Sequence, residues 1–300
     1  MIQRRYFLKL SAAGAACLLW RDVALELATT PGGIPGLRVQ PQRGRARTAF
    51  DSLGSTYEVE PQAGRVIERG PLGVPLGVIG SFGSGPEQLD HPLALAFGPD
   101  DRLYVLDHGN SRVQVYSRSG KHVRRLGCLG GGPDELRMPR DHTFDREGRL
   151  WIADSLNHRI QVFDLVGKGR ARFGTPGDGL GQLNGPCALA FAPDGLLHVL
   201  EAGNRRVQVF SQSGALQGSY GSERLQAPSS LAISPDGLAY LADKQRGTIE
   251  VFASDGSHQR QLRPYFADGS AAIPQRLCFT PAGELHIDAR RAPKHGSVST

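Results

Sequence analysis

From residue 80 onward the apolar residues come in short runs separated by Gly, Pro, Asn and Asp. Arg102-Leu103-Tyr104-Val105-Leu106-Asp107 is followed by Arg112-Val113-Gln114-Val115-Tyr116. The pair recurs as Arg149-Leu150-Trp151-Ile152-Ala153-Asp154 with Arg159-Ile160-Gln161-Val162-Phe163, and as Leu196-Leu197-His198-Val199-Leu200-Glu201 with Arg206-Val207-Gln208-Val209-Phe210. Runs rich in β-branched and aromatic residues and closed by turn formers predict strands. Each unit has room for four. The first follows a proline (Pro92, Pro139, Pro186, Pro228, Pro274), the second ends on an acid, and the third is the Arg-Val-Gln-Val-Tyr type. The fourth is polar, as in Lys121-His122-Val123-Arg124-Arg125-Leu126. A polar outer strand beside apolar inner ones suits a radial blade whose outer edge faces water.

Gly80, Gly127, Gly174 and Gly221 recur every 47 residues, and a fixed period of that length marks one repeated supersecondary unit. A fourth copy, Ala239-Tyr240-Leu241-Ala242-Asp243 then Thr248-Ile249-Glu250-Val251-Phe252, follows a five-residue deletion in its first loop. A fifth, Glu284-Leu285-His286-Ile287, is partial, with Ala289 in place of the acid.

These residues resemble the NHL repeat, a propeller-blade motif, well over residues 80–262 and weakly over 270–290. The resemblance implies an all-β, six-bladed β-propeller of four-stranded blades. It does not specify an activity, because fold does not settle function. One period backwards, Phe50, Tyr57, Glu60, Arg65 and Val66 fall where Phe97, Tyr104, Asp107, Arg112 and Val113 stand. Residues 33–79 therefore read as a degenerate blade, followed by clear blades at 80–126, 127–173, 174–220 and 221–264. A terminal partial blade at 265–300 is expected to be completed by an N-terminal strand within residues 35–40, which closes the ring.

Composition agrees with many tight turns: 39 Gly and 20 Pro. The net charge of +6 comes mostly from arginines spread through the repeat. No long run of like charge appears, so nucleic-acid binding is not indicated. Cys17, Cys128, Cys187 and Cys278 lack metal-pair spacing and are expected as buried, unpaired thiols.

The chain opens Met1-Ile2-Gln3-Arg4-Arg5-Tyr6-Phe7-Leu8-Lys9, followed by a short apolar run to Trp20. That run is too short for a bilayer, which needs about 20 residues. Arg4-Arg5-x-Phe7-Leu8-Lys9 resembles a bacterial twin-arginine (Tat) signal, with Gln3 where the motif carries Ser or Thr. The resemblance implies that residues 1–32 are a signal and short linker, handled by the Tat translocon. It also implies export to the periplasm or beyond, without a transmembrane anchor. Cleavage after Ala13, Ala15 or Ala28 fits equally. A lipid anchor at Cys17 is not favoured, because the Leu of a lipoprotein box is missing.

Asp107 with Arg112, Asp154 with Arg159 and Glu201 with Arg206 recur in three copies. A catalytic set would be unique, so recurrence assigns them to the scaffold, as ion pairs or capping bonds. Asn110, Asn157 and Asn204 are expected either at positive φ or bonded to loop backbone. Departures from the repeat say more. After the first-strand proline the copies read Leu93-Ala94-Leu95, Arg140-Asp141-His142, Cys187-Ala188-Leu189, Ser229-Ser230-Leu231 and Gln275-Arg276-Leu277. Burying Arg, Asp and His together costs several kcal/mol unless they are paired. Either Arg140 and Asp141 satisfy each other, or they line a polar pocket. The candidate ligand site at the channel mouth is therefore His91, Arg140, Asp141, His142 and Arg276.

His91, His108, His142 and His158 map to one predicted face. Zinc in NHL-related lyases needs a repeated channel histidine, but Met138, Gly185, Ala227 and Ile273 stand where His91 stands. The acidic floor of calcium-dependent lactonases is also missing, with Asp141 the lone candidate. No cofactor or metal is assigned; zinc and calcium are the ions these resemblances raise. The expectation is a monomeric binding module for a protein, peptide or glycan. The competing expectation is a propeller hydrolase or lyase with its site at the channel mouth.

Overall fold

The structure is a computed structural model that describes residues 38–41, 48–51, 53–280 and 283–293, the first segment by its backbone alone. The chain separates into two compact units. One lies within Arg43–Gly174, and the other combines Val23–Gln42 with Thr175–Thr300. Residues 1–32, with the predicted signal and Cys17, lie outside the described residues. Among the described residues no helix is long and apolar enough to cross a membrane.

Strand β1 (Arg38–Pro41) belongs to the second unit and is taken up with it below. The first unit holds three four-stranded antiparallel sheets. They are β2 (Thr48–Phe50), β3 (Thr56–Glu60), β4 (Arg65–Arg69) and β5 (Pro75–Ile79); β6 (Pro92–Phe97), β7 (Leu103–Asp107), β8 (Arg112–Tyr116) and β9 (His122–Leu126); and β10 (Asp141–Phe144), β11 (Leu150–Asp154), β12 (Arg159–Phe163) and β13 (Gly169–Phe173). The second unit holds two more: β14 (Pro186–Phe191), β15 (Leu197–Glu201), β16 (Arg206–Phe210) and β17 (Leu216–Tyr220); and β18 (Pro228–Ile233), β19 (Ala239–Asp243), β20 (Thr248–Phe252) and β21 (His258–Leu262). Sheets whose strands neighbour one another in chain order, repeated in this way, are the blades of an all-β propeller.

In the second to fifth blades the two middle strands bury every residue except the half-buried Arg206, while the outer strands β9, β17 and β21 alternate and β13 exposes Arg170, Ala171 and Arg172 in succession. A middle strand has covered sheet faces on both sides, so its alternation gives way to a continuous apolar run broken by Gln114, Gln161 and Gln208. The register repeats with the sequence: Glu60↔Arg65, Asp107↔Arg112, Asp154↔Arg159, Glu201↔Arg206 and Asp243↔Thr248 are opposite pairs. Cores form between successive blades. In the first unit, Val113, Val115 and Leu126 pack with Leu136, Leu150 and Ile152. In the second, Leu200 and Val207 pack with Leu231 and Leu241.

The last sheet departs from the expected four antiparallel strands. Among the described residues it has three, in the order β1, then β23 (Leu285–Arg291), then β22 (Ala272–Phe279), and β1 runs parallel to β23. Among the described residues no third strand of the same copy pairs with β23. β1 takes that edge instead, with Arg38 opposite His286 and Gln40 opposite Asp288. Among the described residues no disulfide forms. Cys187 is buried and Cys278 half-buried, but Cys128 is exposed, contrary to the buried thiol expected.

Candidate functional site

The recurrent acid and arginine form a clamp on the loop that enters the second, third and fourth blades. In the second blade Asp107 Oδ1 accepts the Asp90 N–H at 2.7 Å, and Oδ2 accepts Asn110 Nδ2 at 2.8 Å and Arg112 Nε at 2.7 Å. The guanidinium then donates to the carbonyls of Ser84, Gly85 and Gln88. The third blade repeats this with Asp154, Asn157 and Arg159 on Gly131, Gly132 and Glu135. The fourth repeats it with Glu201, Asn204 and Arg206 on Gly179 and Gln182. Each guanidinium donates to the acid and to at least two loop carbonyls, which offsets the cost of burying the pair. Burial raises the Asp107 carboxyl above its ordinary value, while the Asp90 N–H, Asn110 and Arg112 pull it down.

The asparagines act by side-chain bonding: Asn110, Asn157 and Asn204 donate to Gly83, Gly130 and Gly177 carbonyls at 2.9, 2.8 and 2.9 Å. The left-handed residue is the next one, Ser111, His158 or Arg205, each at φ 53. The residue before the first-strand proline is also left-handed at His91 (φ 47) and Met138 (φ 50), an unfavourable conformation for a side chain that Gly185 takes freely.

In the first unit three segments converge where these turns meet. Gly109 N–H donates to Asp90 O at 2.8 Å. A Cβ on Gly109 would lie 2.5 Å from the Asp90 carboxyl carbon, so only glycine lets the segments approach this closely. His108 Nδ1 donates to Pro139 O at 2.9 Å, and Met138 N–H donates to Ser111 Oγ at 3.1 Å. These bonds set residues 90–91, 108–111 and 138–140 side by side. His91, exposed, holds Asp90 Oδ1 through Nδ1 at 2.5 Å, and its ring stands edge-on to the exposed Phe82 at 6.4 Å. Arg140 is exposed, with its N–H on Ala153 O at 3.0 Å. Burial lowers the His108 pKa first; the Pro139 carbonyl opposes, and the nearby Arg140 and His91 lower it further.

The sequence candidates therefore divide. His91 and Arg140 lie in this cluster. Asp141 and His142 are buried in β10, where the Asp141 carboxylate accepts the His142 N–H at 2.8 Å and the His142 ring stands edge-on to Phe144 at 6.5 Å. Arg276 belongs to the second unit, on β22 opposite Asp288. It holds the register position of Asp141, since both sit two residues after the first-strand proline and opposite the residue before the acid position. Asp90 and His108 were missing from the candidate set. His108 could have been found by the same reasoning, because Ser155, Ala202 and Lys244 stand at its position in the other copies.

A third-strand position also breaks the repeat. Glu250 stands where the second, third and fourth blades have Gln, and its buried carboxylate accepts from Thr248 Oγ1, Gln261 Nε2 and His258 Nε2 at 3.0, 2.7 and 2.8 Å. Among the described residues no group of three or more His, Cys, Asp and Glu is placed to hold a metal ion.

A family model described as a 6-bladed beta-propeller (DUF5128) matches residues 97–172. No curated protein matches the sequence. Solved structures share the fold at low identity. A streptogramin B lyase is 14% identical, covers 90% of this chain and 96% of its own, and has a TM-score of 0.64. A gluconolactonase of Xanthomonas campestris is 19% identical, with 90% and 92% covered and a TM-score of 0.65. A catalytically inactive variant of virginiamycin B lyase from Staphylococcus aureus, crystallised with quinupristin, is 14% identical, with 92% and 87% covered and a TM-score of 0.64. At these identities the likeness is one of fold: the chain is a β-propeller of four-stranded antiparallel blades.

Proposed function

We propose that this chain is an exported propeller of the NHL-repeat kind that binds a protein, peptide or glycan on the loop face of its first unit. The observation that carries the reading is the meeting of His91, His108 and Arg140 around Asp90, built from the residues that leave the repeat while the recurrent acids and arginines hold loops. An exposed guanidinium beside two imidazoles offers several hydrogen-bond donors and one fixed positive charge. The complementary ligand group is a carboxylate, as on an acidic peptide or an acidic sugar chain.

The test is titration calorimetry with a synthetic acidic peptide and an acidic oligosaccharide, against neutral controls of equal length. One acidic probe should bind, and Arg140→Ala should weaken it at least about tenfold, the loss of one charge-assisted contact. Equal binding by wild type and variant, or no preference for acidic probes, sinks the proposal. Export through the twin-arginine route belongs to the same reading. Replacing Arg4 and Arg5 by Lys should hold the chain in the cytoplasm, and unchanged export overturns that part.

A hydrolase or lyase is the second reading, favoured by the fold neighbours whose own names are lyase and gluconolactonase. The residues of this chain do not fit a three-histidine zinc site, with Met138, Gly185, Ala227 and Ile273 in the places of His91. Turnover of a sugar lactone that is lost in Arg140→Ala would replace the binding-module reading.

A further inference from the structure

We propose that the outer strand of the first blade, β5, is a pairing surface for a second copy of this chain. β5 ends its sheet, so one edge of its backbone is open among the described residues. Leu76 and Val78 point outward from it at 62% and 58% exposure, and Leu72 and Val74 in the turn before it are 52% and 57% exposed. The corresponding outward positions elsewhere are Val123 and Arg125 on β9, Arg170 and Arg172 on β13, Gln217 and Ser219 on β17, and Gln259 and Gln261 on β21, all exposed. Polar and charged residues on an edge strand keep it from joining another sheet. Four blades carry that protection on at least one of the two positions, and the first blade carries it on neither.

Charge selects the occupant. No ionisable side chain occurs from residue 70 to residue 86, in a chain of net charge +6 whose outer strands bear Arg124, Arg125, Arg170, Arg172 and Arg260. Two copies meeting rim to rim would bring like charges together at β9, β13 or β21. At β5 they would not. The strip is also complementary to itself. Antiparallel pairing about a two-fold axis at Gly77 sets Leu76 of one copy opposite Val78 of the other, with the side-chain-free residue on the axis. Pro75 has no N–H to donate, which confines the pairing to the residues that follow it. This departs from the monomer expected from the sequence, and it is independent of the ligand reading, because the strand lies apart in sequence from residues 90–91, 108–111 and 138–140.

The test is light scattering on the purified chain, coupled to size exclusion over a concentration series. The wild type should run at the mass of two chains. Leu76→Lys and Val78→Lys should each run as one chain, with unchanged thermal unfolding to show that the blade is intact. Gln259→Lys on β21 should leave the dimer in place. Hydrogen exchange supplies the second readout: amides of Leu76–Ile79 should slow as concentration rises. A wild-type monomer overturns the proposal. So does a dimer that survives both Lys substitutions. Slow exchange at β5 that does not vary with concentration also overturns it, because the strip would then be covered within one chain.

Discussion

The third and fifth blades differ at one device, and the difference explains why the arginine is there. In the third, Arg159 links the buried Asp154 to the carbonyls of Gly131, Gly132 and Glu135 in a long entering loop. In the fifth, that loop is five residues shorter and the arginine is Thr248. Asp243 keeps its acid but turns to the backbone instead, accepting from the N–H groups of Gln226, Ala227, Gln245 and Arg246. The acid ties two turns together in either case. In the second, third and fourth blades the guanidinium supplies donors to the carbonyls of the long loop. Loop length and arginine change together because a buried carbonyl without a donor costs about as much as a lost hydrogen bond.

The most direct way to break this comparison is Arg159→Ala. It removes the charge partner of the fully buried Asp154, which keeps the Arg137 N–H and Asn157, and leaves the Gly131 and Gly132 carbonyls without their guanidinium donor, which should cost on the order of 3–5 kcal/mol in denaturant unfolding. Thr248→Ala in the clampless blade removes one hydroxyl bond to Glu250 and should cost about 1 kcal/mol. Equal costs would mean that the clamp is not what holds the long loop. Arg159→Lys keeps the charge but not the fork, and should fall between the two.

A second contrast concerns the position held by Tyr104, Trp151, His198 and Tyr240 in successive blades. His198 is buried against Tyr220, whose hydroxyl lies 2.8 Å from Nδ1. Burial lowers its pKa from 6.5 to about 4. The unfolded chain therefore takes up a proton near pH 6.5 that the folded chain refuses until about pH 4. Stability is unaffected above 6.5 and falls as pH drops through that window, by on the order of 3 kcal/mol when complete. His198→Tyr, the residue used at this position in three other blades (Tyr57, Tyr104 and Tyr240), should remove most of that dependence. Parallel unfolding curves at pH 7 and pH 4.5 in both proteins check it, and an identical acid loss in the variant would refute it.

Much of the fold was legible because the period is local. A strand needs only its own alternation and bounding turns, and Asp107 with Arg112 lie five residues apart across one turn. The opposite pairing of acid and arginine follows from that spacing alone. The long reach of the guanidinium to Ser84, Gly85 and Gln88 does not, since nothing in one copy of the repeat says which loop carbonyls lack donors. The final sheet was half legible. The loss of the acid at Ala289 marked the copy as partial, but the parallel direction of β1 depends on where the chain enters. At the candidate site, the break at Arg140-Asp141-His142 stood out against four other copies. Its exposure pattern did not, because a strand covered on both faces buries Asp141 and His142 in succession.

That last distinction yields the smallest prediction. Arg140 is exposed, so Arg140→Ala should change stability by no more than about 0.5 kcal/mol. Asp141→Ala, at a buried position, should cost about 1–3 kcal/mol. The adjacent residues thus separate a surface role from a structural one. Arg140 should nonetheless be felt at His108, whose pKa it helps to lower. Removing the guanidinium leaves burial, the larger cause, in place, so His108 should move upward without reaching its ordinary value. Histidine ring resonances followed through a pH titration read this directly. Because the folded pKa then approaches the unfolded one, the acid sensitivity owed to His108 should shrink in the same variant. An unmoved His108 midpoint would separate Arg140 from the imidazoles, and the cluster at Asp90, His91 and His108 would lose its one exposed guanidinium.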